Sequence, residues 1–287
     1  MNLKHLIFSY VSILSNELDK KKFFSFFRKI FNFQYKLFLN LIRKCLSKNF
    51  TNLDKIKKRE LYNYSLDELF LYFNCDKGSS FRLDKEKKII SHNYSLFYEK
   101  YFKILKNEKI RVLEIGSHEG KGLAAFYFFF PNAKLIGANI NPFQMQYSSK
   151  RIEEVYIDVS SKKIVKNFET YFREEFDIII DDASHNLRDI LITLPLMFRK
   201  LKKGGYYVIE DINQFNVFKN LNPTDEVLTP IMILKNMSEN KKFHSNFISE
   251  TDINYLKKNI KNYFFEKGDM VIKGYNISDI VFLKKND

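Results

Sequence analysis

Apolar residues along this chain fall into short unbroken runs and longer runs at helical spacing, and the two kinds alternate. In Phe176-Asp-Ile-Ile-Ile-Asp181-Asp182, residues Ile178 to Ile180 read as a strand buried on both faces, the pattern of a central parallel strand. Tyr206-Tyr-Val-Ile-Glu210-Asp211 repeats it after the turn Lys203-Gly204-Gly205. Arg111–Ile115, Lys134–Asn139 and Val155–Asp158 read as three further strands, and Lys261–Glu266 with Ile277–Lys284 as a closing antiparallel hairpin. Helical spacing predicts Leu61–Phe73, with Ser65 and Glu68 placed as a capping box, then Asn186–Leu201 with Pro195 inside it, and a helix near Asp225–Met237. The expected fold is therefore α/β: a seven-stranded, mostly parallel sheet with a C-terminal antiparallel hairpin. Ahead of it, Phe23–Leu46 interleaves Phe, Ile and Leu with Lys and Arg as a basic amphipathic helix, and Ser47–Arg59 reads as a linker. The chain divides into a basic, Phe-rich helical extension over 1–60 and a catalytic domain over 61–287.

Composition sharpens that division. Of 287 residues, 45% are apolar, enough for a real core, and the formal net charge is +14. Residues 1–60 hold 14 Lys and Arg against 4 Asp and Glu, so the extension carries +10 and leaves +4 for the remainder. A near-neutral catalytic region argues against nucleic acid as the substrate. The basic face of the extension has two readings: a peripheral contact with an anionic membrane through residues 1–46, or a helix docked on the domain with its charges in water. Leu6–Leu14 is too short to span a bilayer, no small-residue cleavage site follows it, and Cys45 with Cys75 offers no disulfide framework. The expectation is a cytoplasmic protein, at the inner membrane surface if the extension binds lipid, with self-association left open.

The chemistry concentrates where the two central strands end. Open α/β sheets bind ligands beyond the carboxyl ends of their strands. If these strands are neighbours, Asp182, Glu210 and Asp211 converge there as a hard-cation site, and His185 stands close enough to act as a base. Capping of the next helix by Asp182 or Ser184 would explain only one of these residues. Glu114-Ile-Gly116-Ser-His118-Glu-Gly120-Lys-Gly122 is a strand end, a glycine-rich turn and a helix start, where a ligand can approach the backbone closely and the helix N-terminus favours anionic groups. Asp158 is either a ligand contact or a cap for a helix beginning near Ser160. The polar stretches Asn74–Ser80 and His92–Tyr94, with Tyr98 and Tyr101 following, either cover a cofactor or belong to the surface.

These residues resemble a known family, the macrocin and mycinamicin sugar O-methyltransferases with their cephalosporin hydroxylase-like relatives. The likeness runs from about Asp76 to the C-terminus through Asp76-Lys77-Gly78, Leu113-Glu114-Ile115-Gly116 with Gly120, Phe130-Pro131-Asn132-Ala133, Ile180–His185 and Gly205–Asp211, the last two being the specific motifs. The resemblance implies a Rossmann-like class I methyltransferase fold and methyl transfer from S-adenosylmethionine (SAM) to a hydroxyl of a sugar, glycan or glycosylated small molecule. It further implies Mg²⁺ or Mn²⁺ on Asp182, Glu210 and Asp211, and His185 as catalytic base. Glu114, Gly116, Gly120, Asn139 and Asp158 match cofactor-contact positions. Asn139 and Asn141 stand where the family usually has Asp, and Gly122 where serine is frequent. Rival readings are a catechol-like acceptor, an RNA methyltransferase, and a non-catalytic membrane-surface protein on a degenerate fold.

Overall fold

A computed structural model describes residues 3–19, 50–80, 91–141, 144–222, 224, 226–272 and 274–287. The basic helix expected over Phe23–Leu46, and the start of the expected linker, lie outside them.

In chain order the elements are α1 (Leu3–Asp19), β1 (Thr51–Asn52), α2 (Leu66–Tyr72), α3 (Ser95–Phe102), β2 (Arg111–Ile115), α4 (Lys121–Phe129), β3 (Lys134–Asn139), β4 (Tyr147–Ser148), β5 (Ile152–Tyr156), α5 (Lys162–Tyr171), β6 (Phe176–Asp181), α6 (Leu187–Phe198), β7 (Leu201–Ile209), α7 (Gln214–Val217), α8 (Pro230–Ser238), α9 (Glu250–Asn259), β8 (Ile260–Lys267), β9 (Val271–Ile272), β10 (Tyr275–Asn276) and β11 (Asp279–Lys285). The main sheet has seven strands in the order β5-β3-β2-β6-β7-β11-β8. Its first five strands are parallel, and β11 runs antiparallel to both β7 and β8. Chain order reverses between β2 and β6, so the crevice of a doubly wound sheet opens at that point.

Alternation along the central strands explains the layers. Leu113, Ile115 and Ile179 point into one apolar cluster with α5, α6, α8 and α9, while Val112, Ile178 and Ile180 point into another with α2, α3 and α4. Aromatic rings fill the second layer: Phe126 meets Phe70 and Tyr98 edge-on at 5.7 and 5.6 Å between centroids. Ser65 caps α2 with the expected capping box. Some expectations give way to tertiary context. The turn expected at Lys203–Gly205 runs inside β7, where the pairing with β6 shifts register as at a bulge. The expected linker contributes β1, whose Thr51 and Asn52 pair with Tyr147 and Ser148. Helix α9, capped by Ser249, had no counterpart in the sequence pattern.

Helix α1 seals the outer edge of the sheet. Ser9 Oγ accepts a hydrogen bond from the Tyr156 amide of β5 at 3.1 Å, so an edge donor is satisfied. His5 bridges Tyr171 and Glu153, the ring of Phe8 stacks on Tyr171 at 3.9 Å, and Lys134 holds the other Glu153 oxygen at 2.6 Å. Burial pushes the Glu153 carboxyl up, but the larger effect of the His5 hydrogen bond, with Lys134, holds it down at about 2. Among the described residues no helix is long and apolar enough to cross a membrane.

Candidate active site

Strand register brings the acidic residues together. Ile115 of β2 pairs with Asp181 of β6, and Asp181 pairs with Ile209 of β7, so three strands end level. The ladder continues one residue further: the Asp182 amide donates to Ile115 O at 2.9 Å and the Glu210 amide to Asp181 O at 3.1 Å. Asp182, Glu210 and Asp211 are thereby fixed at the mouth of the crevice. Beneath them Tyr207 donates to buried Asp181, whose carboxyl is pushed up to about 7 by burial.

The adjoining turn is built for close approach. Gly116 has φ +91°, and a Cβ there would stand 2.1 Å from Asp182 O. His118, Ser184, His185 and Asp211 are non-glycine residues that also take positive φ, at 43°, 28°, 48° and 53°. Their gathering around one crevice marks a backbone held in shape by its surroundings. Asn186, rather than Asp182 or Ser184, caps α6 through the Arg188 amide, which leaves the acidic residues free of that duty.

A cavity of about 590 Å³ lies over these strand ends and is lined by Glu114, Gly116, Asn139, Asp158, Asp182, His185, Glu210 and Asp211. Gly120 is not in its wall but starts α4 with φ +80°. Asn139 ends β3 and donates to His118 O at 3.4 Å. Asp158 accepts from the amide and hydroxyl of Ser160, while Ser161 caps α5, so the expected helix cap falls three residues later. Glu114 Oε2 is buried with no hydrogen-bond partner among the described residues, and burial raises that carboxyl to about 7 against the pull of Lys77. Gly122 faces it: a Cβ there would meet Glu114 Oε1 at 2.6 Å, which accounts for glycine at that position.

Ligand atoms of Asp182, His185 and Asp211 lie within 4.8 Å of one another. His185 Nε2 stands 3.8 Å from Asp182 Oδ1 and 3.7 Å from Asp211 Oδ2, beyond hydrogen-bond length from either. This differs from the expected trio of Asp182, Glu210 and Asp211. Glu210 lines the same cavity, with Lys77 Nζ donating to its Oε2 at 2.6 Å and the Tyr98 hydroxyl donating to its Oε1. Lys77 also donates to Asp182 Oδ2 at 2.5 Å and sits 3.7 Å from Glu114. Burial would lower the Lys77 ammonium, but the Asp182, Glu210 and Glu114 charges outweigh it and hold the pKa well above the ordinary lysine value. On the opposite side, Tyr94 donates to Asp211 Oδ1 at 2.6 Å and His92 Nδ1 approaches the same oxygen at 3.2 Å. Burial acts to raise Asp211, yet the His92 contact, with His185 and Tyr94, holds it below the usual carboxylate range.

Lys77, His92, Tyr94 and Tyr98 thus belong to the site; the sequence left their stretches open between covering a cofactor and lying on the surface, and assigned none of the four a role. Two strips carry the first three and cover the crevice. His92, Asn93 and Ser95 donate their amides to the carbonyls of Asp76, Gly78 and Lys77. The visible signal was the spacing of Tyr94 and Tyr98, four apart and so on one face of α3.

A family model described as a methyltransferase domain matches residues 106–269. Mycinamicin VI 2''-O-methyltransferase of Micromonospora griseorubida is 29% identical over 128 residues, 42% of this chain and 32% of that protein. L-olivosyl-oleandolide 3-O-methyltransferase of Streptomyces antibioticus is 27% identical over 156 residues, 51% of this chain and 36% of its own. Demethylmacrocin O-methyltransferase of Streptomyces fradiae is 30% identical over 128 residues, 42% and 32% of the two chains. The chain spans about a third of the length of these curated relatives. Among solved structures, the MycE methyltransferase from the mycinamycin biosynthetic pathway, in complex with Mg and SAH, superposes with a TM-score of 0.56 at 21% identity, covering 78% of this chain and 55% of that one. At that identity the likeness establishes a shared Rossmann-like fold.

Proposed function

Because the chain belongs to the methyltransferase-domain family, we propose that it moves the methyl group of SAM to a hydroxyl, with a divalent cation in the crevice, and that the hydroxyl belongs to a sugar, glycan or glycosylated small molecule. The observation that carries this reading is the convergence of Asp182 Oδ1, Asp211 Oδ2 and His185 Nε2 beside the glycine turn. The carboxylate oxygens of Asp182 and Asp211, with Glu210 next to them, suit Mg²⁺ or Mn²⁺, and His185 stands beside them free to act as a base. The unpartnered Glu114 oxygen suits the ammonium of SAM's methionine part, and Asn139 at the end of β3 suits ribose hydroxyls. Asp158 lines the same cavity.

In this reading SAM supplies a methyl group on a positively charged sulfur. A bound cation supplies a Lewis acid that makes a weakly acidic hydroxyl easier to ionise. The residues of this chain do the remainder. Asp182 and Asp211 orient the acceptor, and His185 Nε2 takes the hydroxyl proton as the carbon–oxygen bond forms and the carbon–sulfur bond breaks. The sugar assignment draws on the relatives, which are named for O-methylation of compounds such as L-olivosyl-oleandolide and a rhamnosyl tetracenomycin. Residues 61–287 carry this chemistry, and α1 of the basic extension braces the sheet.

Incubation with methyl-labelled SAM, Mg²⁺ and a panel of nucleotide sugars, glycosylated macrolides, catechols and RNA tests the proposal. Label is expected on a carbohydrate hydroxyl. Label on catechol or RNA alone would refute the acceptor class, and failure to bind SAM in calorimetry would refute the reaction.

A further inference from the structure

The two aspartates at the crevice share a feature: each commits one oxygen to the protein and turns the other toward His185. Asp182 gives Oδ2 to Lys77, and Asp211 gives Oδ1 to Tyr94 and His92. The oxygens left over, Asp182 Oδ1 and Asp211 Oδ2, are the pair that stand 3.8 and 3.7 Å from His185 Nε2. A carboxylate with no partner on its rear oxygen can rotate about its terminal torsion and present either one. Here the rear partners remove that freedom.

Lys77 differs from the other partners because it brings a full charge. Its residue is only 4% exposed, and its ammonium lies between the Asp182 and Glu210 carboxylates with Glu114 behind. Buried acids at this spacing repel one another, and a fixed internal cation offsets that repulsion. It also opposes the arrival of a second cation at the same carboxylates. Its backbone is anchored outside the sheet, where Lys77 O accepts from the Ser95 amide and both neighbouring residues are bonded to the 92–93 strip.

We propose that Lys77 is a positioning residue whose ammonium ties Glu210 and the rear oxygen of Asp182, and thereby sets how tightly the crevice holds a divalent cation. The inference rests on the reading that this crevice takes such a cation. Its consequence is a trade: the lysine limits affinity while keeping Asp182 aimed at the reacting space.

The test is Mn²⁺ binding to the full chain, followed by electron paramagnetic resonance of the free ion, in wild type, Lys77→Met and Lys77→Gln. Lys202→Met serves as control, since Lys202 pairs with Asp177 on the surface side of the sheet. Both Lys77 variants should bind Mn²⁺ at least about tenfold more tightly than wild type, because repulsion between the two cations is gone, and the control should not change. A lysine that merely held the fold together would lower stability without tightening Mn²⁺. Binding to wild type with equal or weaker binding to the Lys77 variants overturns the inference alone, whereas no binding to any of the proteins removes the metal reading as well. Should the variants unfold in EDTA, recovery of their near-ultraviolet circular dichroism at Mn²⁺ concentrations below those that saturate wild type supports the proposal, and failure to recover overturns it.

Discussion

Tyr94→Phe isolates one contact at the centre of the site. The Tyr94 side chain is fully buried, its hydroxyl donates to Asp211 Oδ1 at 2.6 Å, and it accepts a long bond from the Asp211 amide at 3.4 Å. Phenylalanine keeps the ring against His92, 5.1 Å away between centroids, so no cavity term enters. A hydrogen bond to a charged group contributes about 1.5–3 kcal/mol. Asp211 keeps His92 at 3.2 Å, which places the expected loss in the lower half of that range, about 2 kcal/mol. For a domain of this size that corresponds to a fall in Tm of about 4–8 °C. Urea unfolding should show a lower midpoint with an unchanged slope. Tyr101→Phe is the comparison. Its hydroxyl donates to Glu266 Oε1 at 2.7 Å, an oxygen that exposed Lys100 also holds at 2.6 Å, so the loss should stay below about 1 kcal/mol. Equal losses in the two variants would refute the reasoning, because Asp211 would then not depend on a buried donor.

Three other outcomes are expected. Gly116→Ala must place a methyl 2.1 Å from Asp182 O at φ +91°, so thermal melting should show a loss of about 3 kcal/mol or more, with SAM binding weakened in calorimetry. His185→Ala should retain SAM binding while turnover falls by about 10²–10⁴-fold, and EDTA should abolish wild-type turnover until Mg²⁺ is restored; full activity in EDTA would sink the metal reading. Glu153 has its folded pKa lowered from 4.5 to about 2, so the stability it confers on α1 is present above pH 4.5 and lost as pH falls toward 2; wild type should lose more stability than Glu153→Gln over that window, and parallel acid titrations would contradict the assignment.

Much of the fold was legible because its central strands are apolar on both faces and end in acids, a pattern that parallel burial and a ligand crevice both demand. The convergence of Asp182 and Asp211 followed from that alone. What escaped was whatever depended on distant partners. Lys77 reads as an ordinary polar loop residue until Asp182 and Glu210, 105 and 133 positions later, are folded around it. Nor does anything near Glu210 in sequence announce the lysine and tyrosine that meet its oxygens. Glycine at 122 became intelligible only against the Glu114 side chain it makes room for. The docking of α1 was obscured because its partners, Tyr156 of β5 and Tyr171 of α5, lie 147 and 166 positions from Ser9 and His5.

The seal that α1 places on β5 has a kinetic side. Ser9 meets Tyr156 across 147 positions and His5 meets Tyr171 across 166, so α1 has nothing to rest on until β2, β3 and β5 of the seven-stranded sheet, and α5, are in place. Contacts of such long sequence separation form late and slowly. Until they form, the domain carries an open strand edge at β5 and an undocked α1, surfaces prone to joining the wrong chain. Closure of that edge is therefore the step at which assembly of this protein competes with aggregation, and conditions that weaken the His5–Glu153 contact should lower refolding yield before they lower the stability of the finished sheet.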